Sequence, residues 1–441
     1  MNTTDTIVAP ASAVGGAVTV IRLSGPGALD AANRVWRGVR PLTAAEARKM
    51  RLGEAAGDQT LAVYMPAPRS YTGDDVVELQ CHGGAAAANA VMRAALAAGC
   101  RLAEPGEFTC RAFLNGKIDL LQAEAVADIV ASSGESALRM AEKQLAGSLS
   151  GRIDALYDAI DSLRAECESR LDFPDEELDF DGEVPEKIAA AGRLVDELLE
   201  TARIGAVVRD GAAVVLAGRP NTGKSSLLNR ILGYDRAIVS PIPGTTRDTV
   251  EAEAVIRGIG VRLSDTAGLR ESGDPVEQLG IERSRRSIRA GVVTFWLLDA
   301  SSPDPAEELA SLDASAPGVI AVWNKCDLAG GKALPETGLP TVKISALTGE
   351  NMEKLFDAFE QRIFAGIPRT VPECAVNARS AALLETAAQN LKRAAERFAA
   401  EDWELAAAEL AEAAKQVGEI TGRNVAPDLL DKIFHRFCIG K

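Results

Sequence analysis

Gly218–Ser225, which reads GRPNTGKS, decides the fold of the central part of this 441-residue chain. The segment fits the pattern G-x-x-x-x-G-K-[ST]. In that pattern backbone N–H groups approach phosphate oxygens, the lysine meets the β- and γ-phosphates, and the hydroxyl can bind Mg²⁺. The apolar stretch Ala213–Ala217 predicts a strand before it, and Ser226–Arg230 can open a helix whose N-terminus favours an anion. The sequence therefore predicts a P-loop in an α/β domain.

Three further motifs follow in the order expected of a GTP-binding domain. In Gly244–Asp248 (GTTRD) a loop threonine can complete the Mg²⁺ shell, and in Asp265–Gly268 (DTAG) the aspartate can hold Mg²⁺ through water. Asn324–Asp327 (NKCD) selects the base, because the Asp327 carboxylate can accept from the ring N–H and the exocyclic amine of guanine. Adenine lacks these donors, and an unpaired buried charge costs about 1–3 kcal/mol or more. Ser345–Leu347 completes the predicted base pocket.

The motifs do not by themselves identify the group that orients the attacking water. Many GTPases orient the attacking water with a glutamine just after the D-x-x-G motif, but this chain has Leu269 there. Either hydrolysis is slow, or another group does this work. An arginine finger supplies about 10³–10⁵ in rate. Arg247 and Arg270 are near, but both can equally be solvated arginines, so neither is assigned the role.

Composition excludes several classes of protein. Hydrophobic residues are 47% and charged residues 25% of the chain, which is ordinary for a globular protein of about three domains. We find no apolar run of about 18 residues that would span a membrane, and no basic residue before Arg22 that would open a targeting segment. Seven cysteines without a CxxC pair and only two histidines argue against a disulfide scaffold or a zinc site. We expect a cytoplasmic protein.

The acidic excess is confined to one segment. The net charge is −15, and residues 118–205 alone carry 21 acidic and 8 basic side chains. Such a segment should repel a phosphate backbone, although a solvated helical face is the simpler explanation of the charge. Any nucleic-acid contact must therefore come from another surface or from a partner.

The first 117 residues alternate between strand and helix patterns. Ala17–Leu23, Leu61–Tyr64 and Asp75–Leu79 are rich in β-branched and apolar residues and predict strands. Ala85–Ala98 is alanine-rich and ends before a glycine, which predicts a helix. This region is predicted to be an α/β domain.

The sequence around the α/β part is helical on both sides. Helical patterns cover residues 118–209, including about 184–204, and resume after Pro372, so we predict an α/β P-loop GTPase domain (residues 210–371) inserted into an α-helical domain (residues 118–209 and 372–441). Apolar residues at spacings of three and four predict one long amphipathic helix with a buried stripe. The stripe consists of Leu145, Leu149, Ile153, Leu156, Ile160 and Leu163.

Taken together, these motifs and several runs outside the P-loop domain resemble the bacterial tRNA-modification GTPase family MnmE (also called TrmE). The resemblance covers essentially the whole chain. Its runs are Gly73–Leu79 (GDDVVEL), His82–Gly84 (HGG), Pro105–Phe108 (PGEF), Arg111–Lys117 (RAFLNGK), Asp172–Glu177 (DFPDEE) and Phe437–Lys441 (FCIGK).

The resemblance implies an N-terminal α/β folate-binding domain over residues 1–117 that also forms a homodimer. It implies a complex with the FAD protein MnmG (GidA). Together they would add an aminomethyl or carboxymethylaminomethyl group to carbon 5 of the wobble uridine of certain tRNAs, using a one-carbon unit from a tetrahydrofolate derivative. Contact with tRNA would run mainly through the partner, in keeping with the acidic charge.

The resemblance also assigns ion and nucleotide ligands. Ser225 and Thr246 match the Mg²⁺ ligands, and Glu277 matches the carboxylate proposed to activate water, with Lys224 as the other catalytic group of the GTPase. Asn221 matches a potassium ligand, and Ser240, Ile242 and Thr245 match the loop that encloses K⁺, which would stand where an arginine finger stands elsewhere. The implied GTP-binding residues are Asn221, Thr222, Gly223, Lys224, Ser225, Ser226, Ser240, Thr245, Thr246, Asp265, Thr266, Ala267, Gly268, Asn324, Lys325, Asp327, Ser345, Ala346 and Leu347.

The folate site is assigned in the same way. Arg22, Glu78 and Lys117 match positions that line the family's folate pocket, and the resemblance places Cys438 and Lys441 near it. A carboxylate can accept from the pterin donors, and cations suit the carboxylates of the folate tail. Cys438 can serve the chemistry, or it can be a small buried thiol.

Two other functions stay open at this point. The G-domain motifs fit equally a regulatory GTPase switch in ribosome assembly or stress response, although such proteins typically append a basic RNA-binding module that is not seen here. A folate enzyme with a vestigial G domain is disfavoured by the intact nucleotide motifs.

Overall fold

The computed structural model describes residues 4–172, 184–234, 251–265, 292–364, 372–435 and 437–440. The chain forms two compact units. The first combines Met1–Ala127, Gln144–Ile188 and Gln389–Lys441, and the second combines Asp128–Lys143 and Ala189–Ala388. The division into three domains made from the sequence stays a prediction.

The first unit contains a seven-stranded mixed sheet, in the order β3-β4-β5-β6-β2-β1-β7. The β1–β7 pair is parallel and the other pairs are antiparallel. Strand alternation buries one set of side chains against helices α1 and α2, and the predicted strands and helix of this region are confirmed. The elements are β1 (Ile7–Pro10), β2 (Val18–Ser24), α1 (Ala28–Val35), β3 (Trp36–Gly38), β4 (Arg51–Ala55), β5 (Asp58–Met65), β6 (Val76–His82), α2 (Ala85–Ala97) and β7 (Arg101–Leu102).

Helices complete this unit, and two of them pack closely along each other. The helix Ser148–Asp172 buries Leu149, Ile153, Leu156, Ile160 and Leu163 to 2% exposure or less, so five of the six residues of the predicted stripe are confirmed as buried on one helix. It packs against the helix Trp403–Thr421. The helices that contribute to this unit are α3 (Glu107–Leu114), α4 (Leu120–Ala131), α6 (Ser148–Asp172), α12 (Trp403–Thr421) and α13 (Pro427–Phe434).

The predicted single helix through Leu145 is wrong. Leu145 ends helix α5 (Glu135–Leu145), and α6 begins only at Ser148. Gly147 between them has a φ of +91°, a backbone conformation that glycine adopts readily and that a right-handed helix does not contain. The spacing of apolar residues continues across this break, which is why periodicity alone does not show it.

The second unit contains a six-stranded sheet in the order β13-β12-β11-β8-β10-β9. All neighbours are parallel except the β9–β10 hairpin, and the predicted alternation of strands and helices is confirmed. The core is apolar, and it includes the fully buried Leu216, Leu263, Phe295 and Phe359. The strands are β8 (Ala212–Gly218), β9 (Glu251–Ile256), β10 (Ile259–Asp265), β11 (Val292–Asp299), β12 (Val319–Asn324) and β13 (Thr341–Lys343).

Helices α7 (Val184–Asp210) and α11 (Ala378–Ala399) confirm the helical flanks predicted from sequence. The other helices near this sheet are α8 (Lys224–Tyr234), α9 (Pro305–Ala310) and α10 (Met352–Ile363). Across the ranges that the structure describes, no helix combines the length and the apolar character needed to cross a membrane.

Candidate functional site

The P-loop lies between β8 and α8, in the strand–turn–helix arrangement that the sequence predicts. Its two glycines, Gly218 and Gly223, have φ of +133° and +96°. A Cβ at Gly218 would overlap the carbonyl oxygen of Leu297, and one at Gly223 would overlap the amide of Asn324. Only glycine lets the loop pass this close to its neighbours.

The ammonium group of Lys224 is held above this loop. Lys224 is buried, and its Nζ donates to the carbonyl oxygens of Gly218 at 3.1 Å and Arg219 at 2.9 Å. Thr222 Oγ1 donates to the Arg219 oxygen at 2.9 Å. Together with the N-terminus of α8, the lysine gives the loop the positive potential that a phosphate group requires.

One amide joins the phosphate side of the site to the base side. Asn324, at the end of β12, donates from Nδ2 to the Thr222 oxygen at 2.8 Å. Its Oδ1 accepts from the Ala346 N–H at 2.9 Å. The side chain is 2% exposed, so both hydrogen bonds form away from water. The P-loop and the loop after β13 therefore have a fixed relation to each other.

The base loop is closed by hydrogen bonds of its own. The Ser345 side chain is buried, and its Oγ accepts from the Thr348 N–H at 3.1 Å. Its backbone oxygen accepts from the Gly349 N–H at 2.8 Å. Leu347 is exposed, and so is Asp327 in the one-turn 3-10 helix Cys326–Leu328. Of the predicted guanine-binding residues, Asp327 and Leu347 thus lie at the surface, beside a loop whose Ser345 is buried and hydrogen-bonded.

Asp299 is a residue of this site that the sequence analysis missed. It ends β11, and its Oδ2 forms an ion pair with Lys325 Nζ at 2.5 Å. Burial favours the neutral acid, but the Lys325 ammonium and the donors of Ser301 together hold the pKa of Asp299 below its usual value. Lys325 itself has a φ of +64°, a backbone conformation that is uncommon for a residue other than glycine. The feature of the sequence that could have identified Asp299 is a carboxylate at the carboxyl end of a parallel strand.

Asp265 of the D-x-x-G motif ends β10, where it lies in register with Leu216 of the neighbouring β8. This places its backbone at the same edge of the sheet as the P-loop. Other predicted nucleotide, ion and water-activating residues lie outside the described part of the chain. They are Ser240, Ile242, Thr245, Thr246, Thr266, Ala267, Gly268 and Glu277.

The second predicted site lies in the first unit, where β2 pairs with β6. Arg22 and Glu78 are direct cross-strand partners, and Arg22 Nε donates to Glu78 Oε1 at 2.9 Å. The guanidinium lies over the rings of Tyr71 and Phe108, at 5.1 and 5.6 Å from their centroids. The side chains are only 15% and 19% exposed, so this is a charged pair in a largely aromatic, dehydrated environment.

The carboxyl-terminal tail also contacts the region around Arg22. Arg22 Nη1 donates to the Gly440 oxygen at 3.4 Å, and the Gly106 N–H donates to the Cys438 oxygen at 3.5 Å. Cys438 is exposed, so the interpretation of this residue as a small buried thiol is wrong. The tail is attached through backbone carbonyls, which leaves the cysteine side chain in solvent.

Lys117 is the third described residue of the predicted folate set. It contacts the loop between β5 and β6, where its Nζ donates to the Pro68 oxygen at 3.1 Å. A Cβ at Gly73 in that loop would lie 3.2 Å from Lys117 Cγ. The structure therefore brings Arg22, Glu78 and the tail together and places Lys117 on a neighbouring loop, while Lys441 lies outside the described residues.

A buried ion network supports this region and was not predicted. Arg111 and Glu107 on α3 are both 1% exposed, and Arg111 Nη2 lies 2.9 Å from Glu107 Oε1. Asp5 and Arg101 complete the network from the amino terminus and β7. Burial favours the neutral acid, but the two arginines and the Glu104 N–H outweigh it and lower the pKa of Glu107. The network fixes α3, which carries Phe108 of the aromatic environment around Arg22.

Comparison with known families and proteins gives matches over almost the full length. The family model "MnmE helical domain" matches residues 120–438, and "GTP-binding protein TrmE N-terminus" matches residues 6–117. A protein of Chloroflexus aurantiacus named tRNA modification GTPase MnmE is 44% identical, over 99% of this chain and 100% of its own length. A protein of the same name from a Synechococcus strain is 42% identical over 99% of this chain and 98% of its own. Among solved structures, the G domain of the T. maritima FeoB iron transporter is 25% identical, covers 34% of this chain and 98% of its own, and has a TM-score of 0.25.

Proposed function

The chain belongs to the MnmE family, and on that premise we propose that it is a GTPase that acts in tRNA modification. The observation that carries the GTPase part is the Asn324 amide, which is hydrogen-bonded at once to the P-loop and to the base loop. This link makes a single site of a phosphate-binding turn and a guanine-binding motif. The alternative of a folate enzyme with a vestigial G domain has less support, because a domain that no longer bound nucleotide would not need hydrogen bonds between the P-loop and the base loop.

The residues divide the work on GTP by their chemistry. Lys224 meets the β- and γ-phosphates, and it exchanges its bonds to Gly218 and Arg219 for bonds to phosphate oxygens. Asp327 accepts from guanine and gives base selectivity. Ser225 would supply its hydroxyl oxygen as a ligand to Mg²⁺, an ion that usually binds only a few protein oxygens together with phosphate oxygens. When bound, Mg²⁺ neutralises charge on the phosphates.

Potassium and Glu277 are the further parts of the proposal. Asn221 stands exposed at a φ of +63° in the P-loop, where its amide oxygen can face an ion beside the phosphates. Ser240, Ile242 and Thr245 would supply the remaining oxygens, and Thr246 would join Ser225 on Mg²⁺. Glu277 would activate the attacking water in place of the glutamine that Leu269 replaces.

We further propose that the first unit binds a tetrahydrofolate derivative and forms a homodimer. Arg22 and Glu78 offer the pterin a donor and an acceptor in an aromatic environment, and Lys117 and Lys441 suit the carboxylates of the tail. Cys438, exposed on the tail, is a candidate for the one-carbon chemistry. In the cytoplasm, with the FAD protein MnmG, the chain would modify carbon 5 of the wobble uridine. The partner would carry most of the tRNA contact, because residues 118–205 are strongly acidic.

Steady-state GTP hydrolysis by the purified chain tests the GTPase proposal. We expect turnover that is at least about tenfold faster in K⁺ than in Na⁺, because a correctly sized ion would do the work of an arginine finger, which is worth about 10³–10⁵. Lys224→Ala should abolish turnover, and Lys354→Ala, at an exposed position of α10, should leave it unchanged. Equal rates in K⁺ and Na⁺ would contradict the potassium part, and hydrolysis of ATP at the same rate would contradict the assignment of the base.

A further inference from the structure

Arg230 connects the phosphate-binding helix to the base loop. It lies on α8, six residues after Lys224, and its Nε donates to the Ala346 oxygen at 2.8 Å. A second donor, Nη2, bonds to the Leu347 oxygen. A single guanidinium group thus holds two consecutive carbonyl groups of the base loop.

The base loop has little other support on this side. A cleft of about 340 Å³ separates it from α8, and Arg230 spans that cleft. Leu347 is 74% exposed, so its side chain does not anchor the loop. Ala346 is buried as a residue, and without Arg230 its carbonyl oxygen would lose a charged donor that a mobile water in the cleft would not hold in one direction.

Helix α8 is itself fixed. Leu227 and Ile231, on an adjacent face, are 0% and 1% exposed and belong to the core beneath the sheet. A rigid helix therefore carries Lys224 in its first turn and Arg230 in its second. A guanidinium is a planar fork with several donors in fixed directions, so it transmits this rigidity to the loop better than a flexible ammonium would.

We infer that Arg230 is a positioning residue for guanine, which holds the Ser345–Leu347 loop in register with the phosphate site. It acts through the loop backbone and touches neither the phosphates nor the reacting atoms. Asn324 holds the same loop from the side of the P-loop, through the Ala346 N–H, so the two side chains fix the two successive peptide units that flank the Cα of Ala346. This inference rests on the proposed binding of GTP.

The test compares ligands with and without a base. Arg230→Met keeps an unbranched apolar stem but removes every side-chain donor. We expect its Kd for a fluorescent GTP analogue to rise about tenfold, which is about 1.4 kcal/mol. The inhibition constant of inorganic tripolyphosphate, which has no base, should stay within twofold, and so should kcat at saturating GTP. Arg230→Lys should fall between the two, because one ammonium replaces only part of the fork.

The matched control is Arg257→Met, which removes an arginine that pairs with Glu353 and Asp357 on the surface of the same unit. It should leave both constants unchanged. Equal weakening of GTP and tripolyphosphate by Arg230→Met would show a general loss of structure and overturn the inference, as would unchanged GTP binding. Failure of the wild-type chain to bind GTP would overturn the proposed function instead.

Discussion

At the scale of single residues, the proposed selection of guanine depends on one exposed carboxylate. Asp327 lies in a single 3-10 turn that follows a fully buried strand, so its position is fixed although its side chain faces solvent. The neighbouring Lys325–Asp299 ion pair and the Asn324 hydrogen bonds hold the rest of the motif. A conservative substitution of Asp327 should therefore change which base is bound without disturbing the rest of the motif.

Asp327→Asn should exchange guanine for xanthine. An asparagine offers one acceptor and one donor, which suits xanthine, with its carbonyl at position 2, and leaves the guanine amine without an acceptor. We expect the KM for GTP to rise at least about 100-fold, or about 2.7 kcal/mol, with a gain in the use of XTP. Asp313→Asn is the control, because Asp313 only caps an exposed turn through Ser315. An unchanged preference for GTP would contradict the role of Asp327.

Cysteine alkylation should follow exposure and acidity. Burial raises the pKa of both Cys100 and Cys110 to about 11, so at pH 8 only about 0.1% of either thiol is the reactive thiolate. Cys438 is exposed, and peptide mass spectrometry should find it modified first by iodoacetamide. Urea-unfolded protein should lose this order. Early labelling of Cys100 or Cys110 in the folded chain would contradict the described core of the first unit.

At the scale of elements, the turn of the β9–β10 hairpin packs against the loop between α4 and α5. The Ser136 N–H donates to the Gly258 oxygen at 3.2 Å, and the backbones approach closely at Gly134 and Gly260. Close backbone contact of this kind requires residues without a Cβ. Strand β10 of this hairpin ends at Asp265, so the contact also fixes the strand that leads into the nucleotide motif.

Gly134→Ala should lower the melting temperature of the protein. The added Cβ would lie 2.5 Å from the Gly258 oxygen, and overpacking of this kind costs about 1–3 kcal/mol. Each kcal/mol corresponds to about 2–4 °C in a domain of this size. Gly192→Ala on α7, where a Cβ meets nothing within 4 Å, is the control and should be neutral or slightly stabilising. Identical melting curves for Gly134→Ala and wild type would contradict the described contact.

At the scale of the whole molecule, short motifs allowed better prediction than periodicity did. The P-loop fixes local chemistry, so the strand predicted at Ala213–Ala217 agrees with β8 to within one residue at each end. The apolar stripe from Leu145 to Leu163 could not show the break at Gly147, because one glycine changes the backbone without interrupting the spacing. Contacts between distant segments, such as Asp299 with Lys325 and Arg230 with the base loop, depend on the folded topology and leave no periodic signal.

The central claim, that GTP turnover by this chain drives wobble-uridine modification, is tested most directly by nucleoside mass spectrometry of total tRNA from a strain that lacks the gene. We expect loss of the carbon-5 methylamino-type uridines, restored by the wild-type gene and by Asp313→Asn but not by Lys224→Ala. Modified nucleosides at wild-type levels, in a strain without a second copy of the gene, would contradict it. In that case the chain would act as a regulatory GTPase, and ribosome profiles would be examined next.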